Sequence, residues 1–213
     1  MRRAPSGIAA AFVAAALATV FALRARADVP GPSGGDRPLV RVEVGPAFVY
    51  EAWTPDGANA GSSAAGFGPS IGVTVGASVR PRLVVAGDLQ LSGIINRTES
   101  YLGSSYELVD TIHFVDTLGA LVDWIPPKHP RLHLGAGLGL AAVTDLDTDL
   151  GGVQTAYGVA VPVQAGYERQ ISARWTAGFT LRVTAYRVYA DAPPPPSSST
   201  GALFTLGVAF TRR

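Results

Sequence analysis

The chain of 213 residues contains no cysteine. Disulfide bonds, a lipid-modified N-terminal cysteine and a cysteine nucleophile are therefore excluded. Charged residues are also scarce, at 15% of the chain, against the roughly 25% that is usual in soluble domains. This scarcity indicates that much of the protein surface does not face water.

Long hydrophobic runs are confined to the N-terminus. Two arginines precede an apolar run from Ile8 to Leu23, and residues 25–27 supply an A-x-A triplet. This order is typical of a secretory signal peptide. We predict a cleaved signal peptide over residues 1–27, a flexible Pro- and Gly-rich lead-in over 28–38 and one domain over 39–213. An uncleaved anchor helix is the alternative, although the run is shorter than the roughly 20 residues that span a bilayer.

Neither sign of charge dominates the chain, which carries 17 basic and 16 acidic residues. Removing the predicted signal peptide takes away four arginines, leaving 13 basic against 16 acidic residues and a net charge of −3. A basic patch that would favour nucleic acid is not evident in the sequence. We expect no nucleic acid partner and no cofactor.

Apolar residues alternate with small or polar residues in eight segments after residue 38. From Phe67 to Val79, for example, almost every second residue is apolar, and those between are Gly, Ser or Thr. A two-residue period predicts β-strands with one apolar face. No helix is needed after the signal peptide to account for the pattern.

The connections between these segments alternate in predicted length. Outer-membrane barrels combine long extracellular loops with short periplasmic turns and an even strand number. We therefore predict an all-β fold, an eight-stranded antiparallel up-and-down transmembrane β-barrel, integral to the outer membrane of a Gram-negative bacterium. The predicted long loops are 54–65, 97–105, 144–154 and 191–200, and the predicted short turns are 80–82, 126–130 and 170–173.

If the apolar faces meet lipid, the opposite faces are enclosed. An eight-stranded barrel is just wide enough for side chains to fill it. Because buried charges persist only when paired, we predict a plugged interior in which Arg41 and Arg182 pair with Glu43, Asp88 and Glu168. We also predict that His133 lies opposite Asp123. The full predicted interior polar set is Arg41, Glu43, Asp88, Gln90, Asp123, His133, Gln164, Glu168 and Arg182.

Aromatic residues are predicted to mark both ends of the strands. Two such girdles are typical of barrels at the membrane interfaces. Trp124, Tyr167, Trp175 and Phe210 lie near the short turns, and Tyr50, Phe67, Tyr157, Tyr189 and Phe204 lie near the long loops.

Four residues interrupt the pattern. Pro46, Pro69 and Pro162 each lack the N–H that a closed sheet requires, so we expect bulges or strand ends there. Asp116 falls on an apolar face, where we expect a bulge or a position near the interface.

The eight segments and the final strand, TLGVAF over 205–210, resemble the small outer-membrane β-barrel proteins typified by OmpA and OmpX. In that family the last strand carries an assembly signal read by the outer-membrane insertion machinery. Thr205, Gly207 and Phe210 match that signal, and Arg212 stands where the family has a final aromatic residue. The resemblance implies a non-enzymatic envelope protein whose partners are membrane lipid, lipopolysaccharide and the insertion machinery.

Two other functions remain open at this stage. One is a narrow channel or a route for small hydrophobic molecules, as the resemblance also allows. The other is a soluble, secreted lipocalin-like barrel with its apolar faces turned inward.

Two local patterns suggest chemistry. The Asp145-x-Asp147-x-Asp149 series resembles part of a calcium loop, but Leu150 stands where the EF-hand form has glycine, so we expect a solvated acidic loop and no metal site. Ser92 and His113 come close if the third and fourth strands pair, and some small barrels that act on lipid A use such residues. Both face inward, so we predict no catalytic residues.

Overall fold

The computed structural model describes residues 38–53, 62–101, 104–108, 111–147, 152–190 and 197–212. No α-helix among them has the length and hydropathy that crossing a membrane requires. The predicted signal peptide lies outside these ranges. The strands are β1 (Pro38–Trp53), β2 (Ser62–Arg80), β3 (Leu83–Ile94), β4 (Asn96–Tyr101), β5 (Ser104–Leu108), β6 (Thr111–Trp124), β7 (Leu132–Asp147), β8 (Val153–Gln170), β9 (Trp175–Ala190) and β10 (Ser197–Arg212).

These strands close into a barrel with eight positions around its wall. β3 and β4 occupy one position in succession, and β5 and β6 occupy the next. β1 pairs antiparallel with β10 from Val40–Arg212 to Trp53–Ser199, which closes the ring. The predicted eight-stranded, antiparallel, up-and-down barrel is confirmed.

The barrel has two ends, which we name by their connections. The turn end carries residues 81–82, 125–131 and 171–174. The loop end is the opposite end, where β1, β4, β7 and β9 end and β2, β5, β8 and β10 begin.

Side chains sort by face as the alternation predicts. Among the described residues, thirty large hydrophobic side chains are exposed, including Leu138 at 67% and Phe179 at 63%. Arg41 and Arg182, in contrast, are 0% and 1% exposed. An apolar exterior of this extent belongs against lipid rather than water. The lipocalin-like alternative is wrong, because the apolar faces point outward.

At the loop end the strands extend further than predicted. β2 begins at Ser62 and β10 at Ser197, both inside predicted loops, and most of the predicted loop 97–105 forms the β4–β5 hairpin. The predicted loop 191–200 merged a proline run, which ends at Pro196, with a Ser/Thr stretch whose N–H groups are free to pair with β9. Small polar residues are typical of loops, but here they pair with a long neighbouring strand and join the ladder.

The predicted alternation of long loops and short turns is therefore wrong when the residues between the strands are counted. The strands leave eight, two, five and six residues between them at the loop end, against two, seven and four at the turn end. Six strands have 16 to 19 residues, whereas roughly 9 to 11 tilted residues cross the hydrocarbon layer. The strands themselves therefore project beyond the membrane.

Pro46 and Pro162 lie within strands, and the bulges or strand ends expected there are absent. The β1–β10 pairing skips Pro46 and the β7–β8 pairing skips Pro162, and both resume in the same register. Each proline removes a ladder hydrogen bond without ending its strand. The ladders on both sides of Asp116 also continue in register, so a bulge does not account for its place on the apolar face.

Pro69 does lie beside a bulge. The register between β2 and its partner shifts by one residue at the β3–β4 junction. Ile94 and Arg97 are consequently both buried although they are three residues apart, a spacing that regular alternation would place on opposite faces. The bulge brings Arg97 into the lumen.

Replacing Leu181 by Arg tests the lipid-facing assignment. Leu181 is 55% exposed in the middle of β9, and a midplane arginine costs about 2–4 kcal/mol of folding free energy. Urea unfolding in lipid vesicles measures this loss. Ile171→Arg at the turn end is the matched control, since a charge near the interface costs about 0–1 kcal/mol. Equal small costs at both positions would contradict the assignment.

Candidate functional site in the barrel interior

The interior contains three polar clusters and one apolar layer. All nine residues of the predicted interior polar set are buried. They divide into two groups, each centred on an arginine, and a third arginine that the sequence analysis did not place inside lies at the loop end.

The Arg41 cluster lies near the turn end. Arg41 Nη2 is 2.9 Å from Asp123 Oδ2, and Arg41 Nε is 3.1 Å from Glu168 Oε1. His133 Nδ1 lies 3.3 Å from Asp123 Oδ2 and the same distance from Arg41 Nη2. The hydroxyl of Thr211 donates to Glu168 at 2.7 Å. The buried cation thus has two carboxylate partners, which in turn have further donors.

The expected position of His133 was wrong by two residues. Asp123 pairs across the ladder with Gly135, not with His133. The two side chains still meet because His133 reaches along its strand toward Asp123.

The Arg182 cluster lies further into the barrel. Arg182 Nη1 and Nη2 are 2.8 and 3.0 Å from the two carboxylate oxygens of Asp88, which is a bidentate pair. The side-chain oxygens of Gln90 and Gln164 accept from the same guanidinium at 2.9 and 2.7 Å. Glu43 links the clusters, since its carboxylate is 3.7 Å from Arg182 and 4.0 Å from Arg41.

These contacts cross the lumen. Arg182 on β9 and Asp88 on β3 are four positions apart in a ring of eight, and therefore lie on opposite walls. Arg41 on β1 and His133 on β7 have the same relation. The two clusters link opposite walls of the barrel, and their paired charges occupy the part of the lumen nearer the turn end.

Interior glycines make room for the large polar side chains. A Cβ at Gly166 would overlap the His133 ring, and a Cβ at Gly201 would overlap the Tyr186 ring. Glycine weakens a strand, so its frequency here reflects the volume of the facing side chain.

An apolar layer lies on the loop side of these clusters. Its side chains point inward and pack against one another, and none of them belongs to the predicted interior polar set. The buried members are Ala47, Val49, Ile94, Val115, Ala141, Val143, Ala160, Tyr186, Val188 and Leu203.

The Arg97 cluster lies at the loop end, above the apolar layer. Arg97 Nη1 is 2.7 Å from Asp145 Oδ1, and Arg97 Nη2 is 3.3 Å from Glu51 Oε2. His113 sits between the same acids, with Nδ1 2.7 Å from Asp145 and Nε2 3.2 Å from Glu51. Tyr186 donates to Glu51 at 2.7 Å. A cavity of about 280 Å³ opens beside the cluster, with Trp53 in its wall.

Sequence reasoning missed this cluster because residues 97–105 were assigned to a loop. Glu51, which is 2% exposed, is likewise not in the predicted interior polar set. Pro69 lies opposite the one-residue shift that turns Arg97 inward. Proline alone could not locate that shift, because Pro46 and Pro162 interrupt strands whose register is unchanged.

The residues that suggested chemistry in the sequence contact other side chains in the structure. Ser92 donates to Ser70 at 3.0 Å, whereas His113 is held by Asp145, Glu51 and Arg97. Asp145 points to Arg97 and His113, and the rest of the calcium-like series lies outside the residues whose side chains are described. The described residues contain no group of carboxylates or histidines arranged to hold a metal ion.

The nine predicted girdle aromatics are all exposed on the outer wall. Phe204 and Phe67 lie further from the loop end than predicted. Phe204, for example, is the eighth of the sixteen residues of β10. Both pair across the ladder with Phe48, and the ring centroids are 6.1 and 4.7 Å from it. Of the predicted assembly signal, Thr205 and Gly207 face inward and Phe210 faces outward.

Comparison with known proteins finds similarity in structure but not in sequence. No family model matches the chain, and no curated protein matches it. Neisserial surface protein A (NspA) superposes with a TM-score of 0.54 at 12% identity, covering 84% of this chain and 99% of that chain. The outer membrane protein OprG from Pseudomonas aeruginosa gives 0.50 at 12% identity, covering 84% and 97%. The closed eight-stranded ring, the apolar outer wall and these likenesses together show that the chain has the fold of the small outer-membrane β-barrels.

Proposed function

We propose that the protein is a non-catalytic, non-conducting outer-membrane barrel whose loop end presents a binding surface to lipopolysaccharide or another partner outside the cell. The observation that carries the proposal is the filled lumen, in which the Arg41 and Arg182 clusters and the apolar layer follow one another from the turn end to the loop end.

The contacts across the lumen support a closed interior. A water-filled channel would leave charged side chains hydrated along one wall, whereas Arg182 bridges to Asp88 on the opposite wall and is 1% exposed. The apolar layer adds a second barrier, because an ion passing it would lose its hydration without gaining a polar partner. The narrow-channel alternative has no comparable supporting observation.

The loop end supports the binding role. The strands project beyond the length needed to cross the hydrocarbon, and the β4–β5 hairpin continues this wall to the level of Trp53 and Ser62. The Arg97 cluster fixes the base of this projection by joining β1, β4, β6 and β7. Loops on a rigid scaffold are where proteins place recognition residues.

Planar-bilayer recording tests whether the barrel conducts. The purified protein is expected to give no stable conductance steps at moderate voltage, because the paired arginine clusters and the apolar layer occupy the lumen. Reproducible, long-lived steps from protein shown to be folded would contradict the closed interior.

Replacing Arg182 by Met tests the energetic weight of the plug. Removing one partner from a buried pair leaves Asp88 charged and uncompensated, which costs about 3–5 kcal/mol of unfolding free energy. Arg187 lies on the same strand but faces outward, so Arg187→Gln should change stability by less than about 0.5 kcal/mol. Urea titration in lipid vesicles measures both.

A double variant separates lost pairing from misfolding. D88N/R182M removes the uncompensated charge and is expected to recover part of the loss seen in R182M. If R182M and R187Q cost the same, the cross-lumen pair does not stabilise the barrel.

Replacing Arg97 by Gln tests the base of the loop end. Glu51 and Asp145 lose their shared cation, so amide hydrogen exchange should increase in β4, β5 and the loop-side residues of β7. The residues around Arg182 lie below the apolar layer and should keep their protection. An increase spread over the whole barrel, or none at all, would show that the Arg97 cluster does not organise this end.

A further inference from the structure

The turn end carries unbalanced positive charge. Among the described residues at this end, Lys128 and six arginines are exposed, and no carboxylate is exposed. The two acids closest to this end, Asp123 and Glu168, are buried with Arg41. The exposed cations therefore face the solvent or the membrane surface without an exposed counter-charge among the described residues of this end.

Two of these cations lie on the outer wall of the barrel rather than in a turn. Arg169 follows buried Glu168 on β8, and Arg212 follows buried Thr211 on β10. By alternation, both side chains point outward, on the lipid side. Neither guanidinium has an ion pair with another described residue, whereas Arg131 nearby donates to the Tyr167 hydroxyl.

Their depth corresponds to the membrane interface. Each arginine follows an outward aromatic residue by two positions, Tyr167 in β8 and Phe210 in β10. Two strand residues span about 6.6 Å. Aromatic rings favour the headgroup boundary, and arginines extend from there toward water and phosphate.

The strand between them completes a subsite. Arg169 pairs with Ala177 on β9, and Arg212 pairs with Trp175 on the same strand. β8 and β10 flank β9, so their backbones are about 10 Å apart. Ala177 is small and leaves room above β9 for a group that both long side chains reach, while Trp175 is exposed beside it.

We propose that Arg169 and Arg212, with Trp175 between them, bind the phosphate of an anionic phospholipid in the periplasmic leaflet. The first strand begins and the last strand ends at the turn end, where Val40 pairs with Arg212. In outer-membrane barrels of even strand number this end faces the periplasm, so this wall meets phospholipid rather than lipopolysaccharide. An anionic headgroup such as phosphatidylglycerol is favoured over a zwitterionic one, because the surrounding exposed cations repel a headgroup ammonium. The inference rests on the fold and the outer wall, and does not depend on the proposed role of the loop end.

Tryptophan quenching by brominated lipids tests the subsite. A W53F/W124F background leaves Trp175 as the single reporter, since the chain has three tryptophans. The protein is reconstituted with dibrominated phosphatidylglycerol or dibrominated phosphatidylcholine, and the ratio of their association constants is measured. We expect phosphatidylglycerol to be preferred by about fivefold for each arginine that it contacts, and the preference to fall as salt concentration rises.

The matched variants localise the effect. R169Q/R212Q in the same background should bring the ratio close to one, while R187Q, which removes an exposed outer-wall arginine at the loop end, should leave the ratio unchanged. A ratio of one before substitution would overturn the proposal and direct the exposed cations to an acidic partner in the periplasm. A preference that survives in R169Q/R212Q would overturn the subsite.

Discussion

The structure depends on the pairing of buried arginines across a narrow lumen. The outer wall is apolar, so the polar halves of eight strands are turned into a space that excludes most water. A charge in such a space is tolerated when a partner of opposite sign and further hydrogen bonds surround it. Arg182 meets this condition with one bidentate carboxylate and two amide oxygens.

This constraint explains features that are unusual for strands. Gly166 and Gly201 leave volume for His133 and Tyr186 in a ring whose width is set by its eight strand positions. Cross-lumen pairs also fix register, because a slip of one residue would move Arg182 to the lipid side and Leu181 into the lumen. The buried charges are costly, but their pairing selects one register for the strands of the ring.

The two ends of the barrel differ in where their charged residues lie. At the turn end, the acids are inside and paired, and the exposed residues are basic. At the loop end, the acids Glu51 and Asp145 surround an inward arginine. The two proposed binding surfaces therefore lie at opposite ends of the barrel, the phospholipid subsite at the turn end and the outer surface at the loop end.

The sequence was sufficient for the parts of the fold that follow the two-residue period. The alternation of Val40, Val42 and Val44 with Arg41 and Glu43 determines which face of the strand points inward. The strand count follows from eight segments that alternate in this way. The loop end was not predictable in the same way. Residues 197–200 pair because β9 offers them a partner. Arg97 turns inward because the register shifts by one residue. Neither cause can be deduced from the composition of the segment itself.

Single-cysteine scanning along β10 tests the orientation on which the account depends, and the absence of native cysteine makes each introduced thiol unique. A nitroxide attached in turn to positions 203 to 210 reports access to oxygen dissolved in lipid. We expect a two-residue period with maxima at 204, 206, 208 and 210, the outward positions of β10. Maxima at the odd positions, or access that does not alternate, would contradict it.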